Sequence, residues 1–149
     1  MNMVMKANGS KAQLKAKPVD GINEIDGITL TDTVMLDFDD TPFKTVKDWA
    51  KRTCFWFKLM GFIILKSSKN CYHVVFDRAV TWEENVSIMA YVCLISKHEK
   101  LTGWFILQCR KKASTLRVSD KKDKPMPRIV FRYGSQKGRI AEFLRFRKL

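Results

Sequence analysis

The chain has 149 residues, 46% of them hydrophobic and 11% aromatic, enough for one domain around a single core and too apolar for a disordered tail. Its 28 Lys and Arg against 15 Asp and Glu leave a formal net charge of +13. That surplus does nothing for a fold and points to polyanionic partners, nucleic acid before an anionic membrane surface. No apolar run approaches the roughly 20 residues that span a bilayer, and the N-terminus lacks a signal-peptide apolar stretch. The expectation is a cytoplasmic protein, or a nuclear one if its source has a nucleus, with no membrane partner.

Residues 1–22 are polar and lysine-rich, broken by Gly9, Pro18 and Gly21. They read as a flexible basic arm, leaving residues 23–149 as the domain. "TVMLDFD" (33–39) is a short strand bounded by polar residues. Pro42 opens a helix, Val46, Ala50, Cys54 and Phe57 recur at helical spacing to about Leu59, and Gly61 ends it. "FIILK" and "CYHVVF" are strands joined through "SSKN" as a hairpin. "TWEENVSIMAYVCLISKHEK" is a helix capped by Thr81, with acids in its first turn and a buried stripe of Val86, Met89, Ala90 and Cys93. "GWFILQCR" and "STLRVS" read as strands, "SDKKDKPMP" as a charged loop, "RIVFRY" as a strand and "GRIAEFLRFRKL" as a short basic helix. The order predicts an α+β domain, helices packed on a mainly antiparallel sheet. Cys54, Cys71, Cys93 and Cys109 form no C-x-x-C pair, which argues against a zinc knuckle and reads as reduced intracellular thiols.

Two stretches carry candidate chemistry. Asp37 and Asp39 stand two apart in a strand, so their carboxylates project from one face about 7 Å apart. Such a pair can share hard cations, Mg²⁺ or Mn²⁺; without one, repulsion raises the proton affinity of one member. The plain alternative is a strand end running into an acidic turn. In "KSSKNCYHVVF" (66–76), Ser68, Lys69 and His73 offer donors to a triphosphate, and a tight turn exposes backbone N–H groups. The plain alternative there is a satisfied histidine near a sheet edge beside a generic polar turn.

"MLDFDD", a helix and then "KSSKNCYHVVF" resemble the first two motifs of the archaeo-eukaryotic primase superfamily, the primase-polymerases: an hhhDhD strand, then an s-x-H motif opening the next strand. "STLRVSDKKDKP" resembles the arginine- and lysine-bearing strand and loop that close the core of small archaeal and viral members. The likeness covers about residues 33–130. It implies an RRM-like, primase-type sheet in a single domain. It also implies a two-metal nucleotidyltransferase acting in replication of a mobile element, virus or archaeal-type genome. By position, Asp37 and Asp39 would be catalytic and bind Mg²⁺ or Mn²⁺. Ser68, Lys69 and His73 would hold the triphosphate, and Arg117 and Lys121 would line the cleft. The family's usual third acid has no clean counterpart; Glu99 and Asp120 are the candidates. The chain thus reads as a minimal core or as a diverged, inactive one. Implied partners are DNA, as single-stranded template or primer–template, nucleoside triphosphates, and other replication proteins such as a helicase.

Two rivals stay open. "LDFDDT" also fits the D-x-D-x-T motif of haloacid-dehalogenase-type phosphatases, with Asp37 as nucleophile and Asp39 as acid/base, although no later acidic pair stands ready for Mg²⁺. A non-catalytic nucleic-acid-binding module would use Arg110, Lys111 and Lys112 on phosphates, with Trp104, Phe105, Phe131 or Tyr133 stacking on bases.

Overall fold

The central hairpin carries two unbroken apolar runs, 62–65 and 74–76, because both of its faces are covered there. A computed structural model describes residues 2–7, 10–15, 17–19, 22–25, 27–121 and 123–147. The hairpin pairs β7 (Gly61–Ser68) with β8 (Cys71–Phe76), flanked by β10 (Arg128–Gly134) and β6 (Met35–Phe38) in the antiparallel order β10-β7-β8-β6. Leu36, Phe38, Phe62, Ile64, Val74 and Phe76 face a core shared with α1 (Phe43–Phe57), α2 (Trp82–Ser96) and Leu101 of α3 (Glu99–Lys111). Met35, Ile63, Leu65 and Val75 face a second core, built with β5 (Gly27–Leu30), β9 (Ser114–Arg117) and α4 (Arg139–Arg147). The fold is therefore α+β, with the sheet as its middle layer.

β5 and β9 belong to a second antiparallel sheet, ordered β1-β2-β5-β9, with β1 at Asn2–Ala7 and β2 at Ser10–Lys15; β3 (Lys17–Val19) pairs β4 (Ile22–Ile25) separately. The arm expected over residues 1–22 lies in part outside the described residues, and its described parts are these strands.

Three local expectations are corrected. Gly61 does not end α1: Lys58, at φ 53°, does, its N–H bonding to the Cys54 carbonyl. Gly61 instead opens β7, where the backbones of Tyr133 and Ser135 leave no room for a Cβ. The buried stripe of α2 is Asn85, Ile88, Met89 and Val92, rotated from the expected one because Asn85 sits inside and its amide donates to the carbonyls of Thr31 and Thr33 at 3.0 and 3.1 Å. Thr81 does cap that helix, in a capping box with Glu84. "GWFILQCR" is not a strand but most of α3. Leu101, Trp104, Phe105 and Gln108 turn inward at helical spacing, and Ile106 and Leu107 stay exposed, where an alternating strand would have hidden one of them.

α4 docks through one buried acid. Asp77, at the end of β8, accepts hydrogen bonds from the N–H groups of Gly138 (3.1 Å) and Ile140 (2.9 Å) and from the Ser135 hydroxyl (3.0 Å). It caps otherwise orphaned donors at the helix N-terminus. Arg139, also buried, pairs with Asp32 at 3.0 Å. Asp77→Ala should cost about 2–4 kcal/mol, read as a fall in melting temperature, whereas Glu99→Ala, at an exposed helix start, should change it little.

Candidate active site

Strand alternation builds the site. On β6, Leu36 and Phe38 turn to the helices, so Met35 and Asp37 turn to the other face, and Asp39 follows Asp37. Asp37 lies opposite His73 of β8, and His73 opposite Leu65 of β7. The apolar floor of Met35, Leu65 and Val75 thus gives way, at one end of the sheet, to polar groups. Asp37, Asp39, Ser67, His73, Arg117, Lys121 and Lys124 line a pocket of about 190 Å³ there.

The cationic wall is held by backbone bonds. The Arg117 guanidinium donates to the carbonyls of Ser119 and of Pro125, drawing the charged loop into an arch. Within it Lys121 and Lys124 exchange backbone hydrogen bonds, and Asp120 accepts from the Met126 N–H at 2.5 Å. The acidic wall is clamped from α3. The Asp39 carbonyl accepts from His98 Nε2 at 2.6 Å and from the Thr41 hydroxyl at 2.8 Å. The Leu101 N–H donates to His98 Nδ1 at 3.3 Å, which fixes the Nε2–H tautomer. His98 therefore caps α3 and ties it to the strand end that carries Asp39.

Burial governs the two groups that face each other. It holds His73 neutral, its pKa pulled to about 3, with Arg117, Lys124 and Arg147 adding to the effect. It pushes Asp37 up to about 7, and the neighbouring Asp39 pushes the same way, against Lys124, Arg117 and Lys121. The 3.5 Å between Asp37 Oδ1 and His73 Nε2 is then a contact between a carboxyl and a neutral imidazole, not an ion pair. A carboxyl so raised holds its proton up to about neutral pH, and a bound cation would stabilise its ionised form and displace that proton to solvent. Among the described residues no three His, Cys, Asp or Glu side chains gather as a ready metal cluster. Two carboxylates still suit Mg²⁺, which keeps several waters and takes further ligands from substrate phosphates.

Asp37, Asp39, His73, Arg117 and Lys121, drawn from three separate motifs, meet in this pocket. Ser68 and Lys69 do not line it; Ser67 does, its hydroxyl donating to the Cys71 carbonyl at 3.2 Å. A register shift between Lys66 and Ser68 marks this strand end. Lys69 sits exposed in the turn beside Asn70, which has φ 55°. Glu99 starts α3 and Asp120 binds its own loop, and neither lines the pocket. Arg110, Lys111 and Lys112 lie at the other end of α3 and also stand outside it. Ser67 and Lys124 were missed: alternation from Ile63 and Leu65 puts Ser67 on the pocket face, a signal that points to it rather than to Ser68, and Lys124 was one lysine among several in a loop. Asp77, the next acid after His73, is engaged on α4 about 13 Å along the strand.

Asp37 and His73 have opposite pH signatures. A carboxyl whose pKa rises on folding contributes stability that is present below about pH 4 and lost as pH rises through about 7. A depressed histidine contributes stability present above about pH 6.5 and lost on acidification toward 3. Asp37→Asn removes the first dependence and keeps the second. It should melt about 3–8 °C above the parent near pH 8 and show a smaller gain near pH 5, where only part of the dependence has accumulated, in thermal melts without added metal. No family model matches the chain, and neither does any curated protein or solved structure.

Proposed function

We propose that the chain is a DNA primase/polymerase-like nucleotidyltransferase, building on nucleoside triphosphates against a single-stranded template or primer–template. The observation that carries this is the convergence of Asp37, Asp39, His73, Arg117 and Lys121 in one pocket, although 84 positions separate the first from the last. Asp37 and Asp39 would hold Mg²⁺ or Mn²⁺, which supplies activation of the attacking hydroxyl and charge stabilisation at the leaving pyrophosphate. Arg117, Lys121 and Lys124 offset the triphosphate's charge from the facing wall. His73, neutral, offers a hydrogen bond without adding charge, and so does Ser67 once its hydroxyl turns from the Cys71 carbonyl to a phosphate. The RRM-like or primase-type character of the sheet rests on the same likeness, carried by the order β6, α1, the β7–β8 hairpin and α2. Replication of a mobile element, virus or archaeal-type genome, with a helicase or similar partner, is the setting that fits.

One observation favours a second reading, a non-catalytic nucleic-acid-binding module: neither candidate for the third acid, Glu99 or Asp120, lines the pocket. The same fact leaves the phosphatase reading without its later acidic pair.

Primer extension with Mn²⁺ distinguishes the three. Incorporation should fall at least about 100-fold in Asp37→Asn and Asp39→Asn, the scale expected when catalytic metal ligands are lost. Ser67→Ala should raise the triphosphate KM about three- to tenfold, for one lost phosphate hydrogen bond, and Ser68→Ala should not. Phosphomonoester hydrolysis abolished by Asp37→Asn, with no incorporation, would establish the phosphatase. Oligonucleotide binding with neither activity would establish the module.

A further inference from the structure

On the far side of the central sheet from the pocket, α1 and the edge strand β10 form a surface that the proposed chemistry does not use. From Phe43 to Lys58 the chain carries Lys44, Lys47, Lys51, Arg52 and Lys58 against the single acid Asp48. Lys47, Lys51 and Phe55 follow one another at four-residue intervals, so they form a row along one side of α1 with about 6 Å between members. That row runs beside β10. The Lys47 ammonium lies 5.4 Å from the Phe131 ring centre, and the Lys51 ammonium 5.5 Å from that of Tyr133. Tyr133 stacks on Phe62 with ring centres 5.0 Å apart, which holds its ring in place. Past Lys51 the surface turns openly aromatic. Phe55 is 80% exposed and Trp56 62%, their rings edge to face at 6.2 Å, with Met60 63% exposed nearby in sequence.

Large apolar groups left this open cost solvation that a monomer ordinarily avoids, and they mark contact surfaces. We propose that this surface binds single-stranded nucleic acid, with phosphates on Lys47, Lys51, Arg52 and Lys58 and bases stacked on Phe55 and Trp56. Interleaved cations and free ring faces are what single-strand binders combine, because every base has a π-face and every linkage a charge. A second copy of the chain is a poor occupant, since a symmetric contact would set two such cationic helices against each other. A lipid surface is also a poor one. Immersing the rings would bury the ammonium groups that lie over Phe131 and Tyr133, whereas a stacked base leaves those charges on phosphate. The inference stands on charge and exposure alone, not on catalysis in the pocket.

The test is fluorescence anisotropy with a labelled oligothymidylate of about 12 nucleotides, inside the usual range of site sizes. Phe55→Ala with Trp56→Ala should weaken binding at least about tenfold, as expected for two lost stacking contacts, and should weaken a duplex of equal length much less. Lys47→Ala with Lys51→Ala should lower the steepness of the salt dependence by about 1.4 on the logarithmic scale, for two single-strand phosphates. Because both pairs lie at the surface, their melting temperatures should match the parent's. In case the aromatic pair folds poorly, the parent's tryptophan emission gives a separate readout. It should be quenched by the oligonucleotide, and Trp56→Phe should remove most of that quench. Unchanged single-strand affinity in both double variants would overturn the proposal. So would a quench undiminished in Trp56→Phe, or a dimer in sedimentation that Phe55→Ala with Trp56→Ala dissolves at constant oligonucleotide affinity. Loss of metal-dependent triphosphate binding in Asp37→Asn bears only on the pocket, so the two claims fail separately.

Discussion

The pairing of β6 with β8 sets Asp37 opposite His73, and the rest of the site depends on that register. Strand side chains alternate with a period of two. A slip of one residue would turn Asp37 and Asp39 into the helix core and bring Leu36 and Phe38 out in their place. Both faces of this sheet are apolar over most of its length, so the slip is opposed by burial on each side. The cost of holding a carboxyl there shows in its proton affinity: burial takes Asp37 to about 7 while it keeps His73 uncharged. A site in this state is short of positive charge at its centre and rich in it at the rim, where Arg117, Lys121 and Lys124 stand. A divalent cation carrying a polyphosphate satisfies both conditions in one ligand.

Supporting contacts reach the pocket from three directions. His98 fixes the backbone of Asp39 from α3. The Arg117 guanidinium shapes the lysine loop by binding its carbonyls, so one side chain both organises the wall and belongs to it. Asp77 anchors α4, and the far end of that helix places Arg147 near enough to lower the proton affinity of His73. Acids at strand ends thus do different work in one fold: Asp37 and Asp39 face the cavity, and Asp77 is consumed in capping.

What could be read from the residues was the part governed by period and by short turns. Alternation in "MLDFD" put both acids on one face, and the two apolar runs around "SSKN" announced the hairpin. Ser67 follows Ile63 and Leu65 on the pocket face by simple alternation, a signal that was present in the sequence but passed over in favour of Ser68. Lys124 acquires its place only when it closes back on Lys121. The helix α3 was hidden by a short apolar run whose period becomes clear only when Leu101 and Gln108 are counted with Trp104 and Phe105. The strand β5 is four residues long, and its Thr29 bonds Thr115, 86 positions away. No local pattern reports a partner so distant.

The measurement that bears most directly on the central claim is electron paramagnetic resonance of free Mn²⁺ near pH 8, with a nucleoside triphosphate present and protein titrated in. The parent should remove Mn²⁺–triphosphate from the free signal, and a folded Asp37→Asn with Asp39→Asn variant should not, while both still bind oligonucleotide. Equal depletion of the signal by the parent and the double variant would contradict the account.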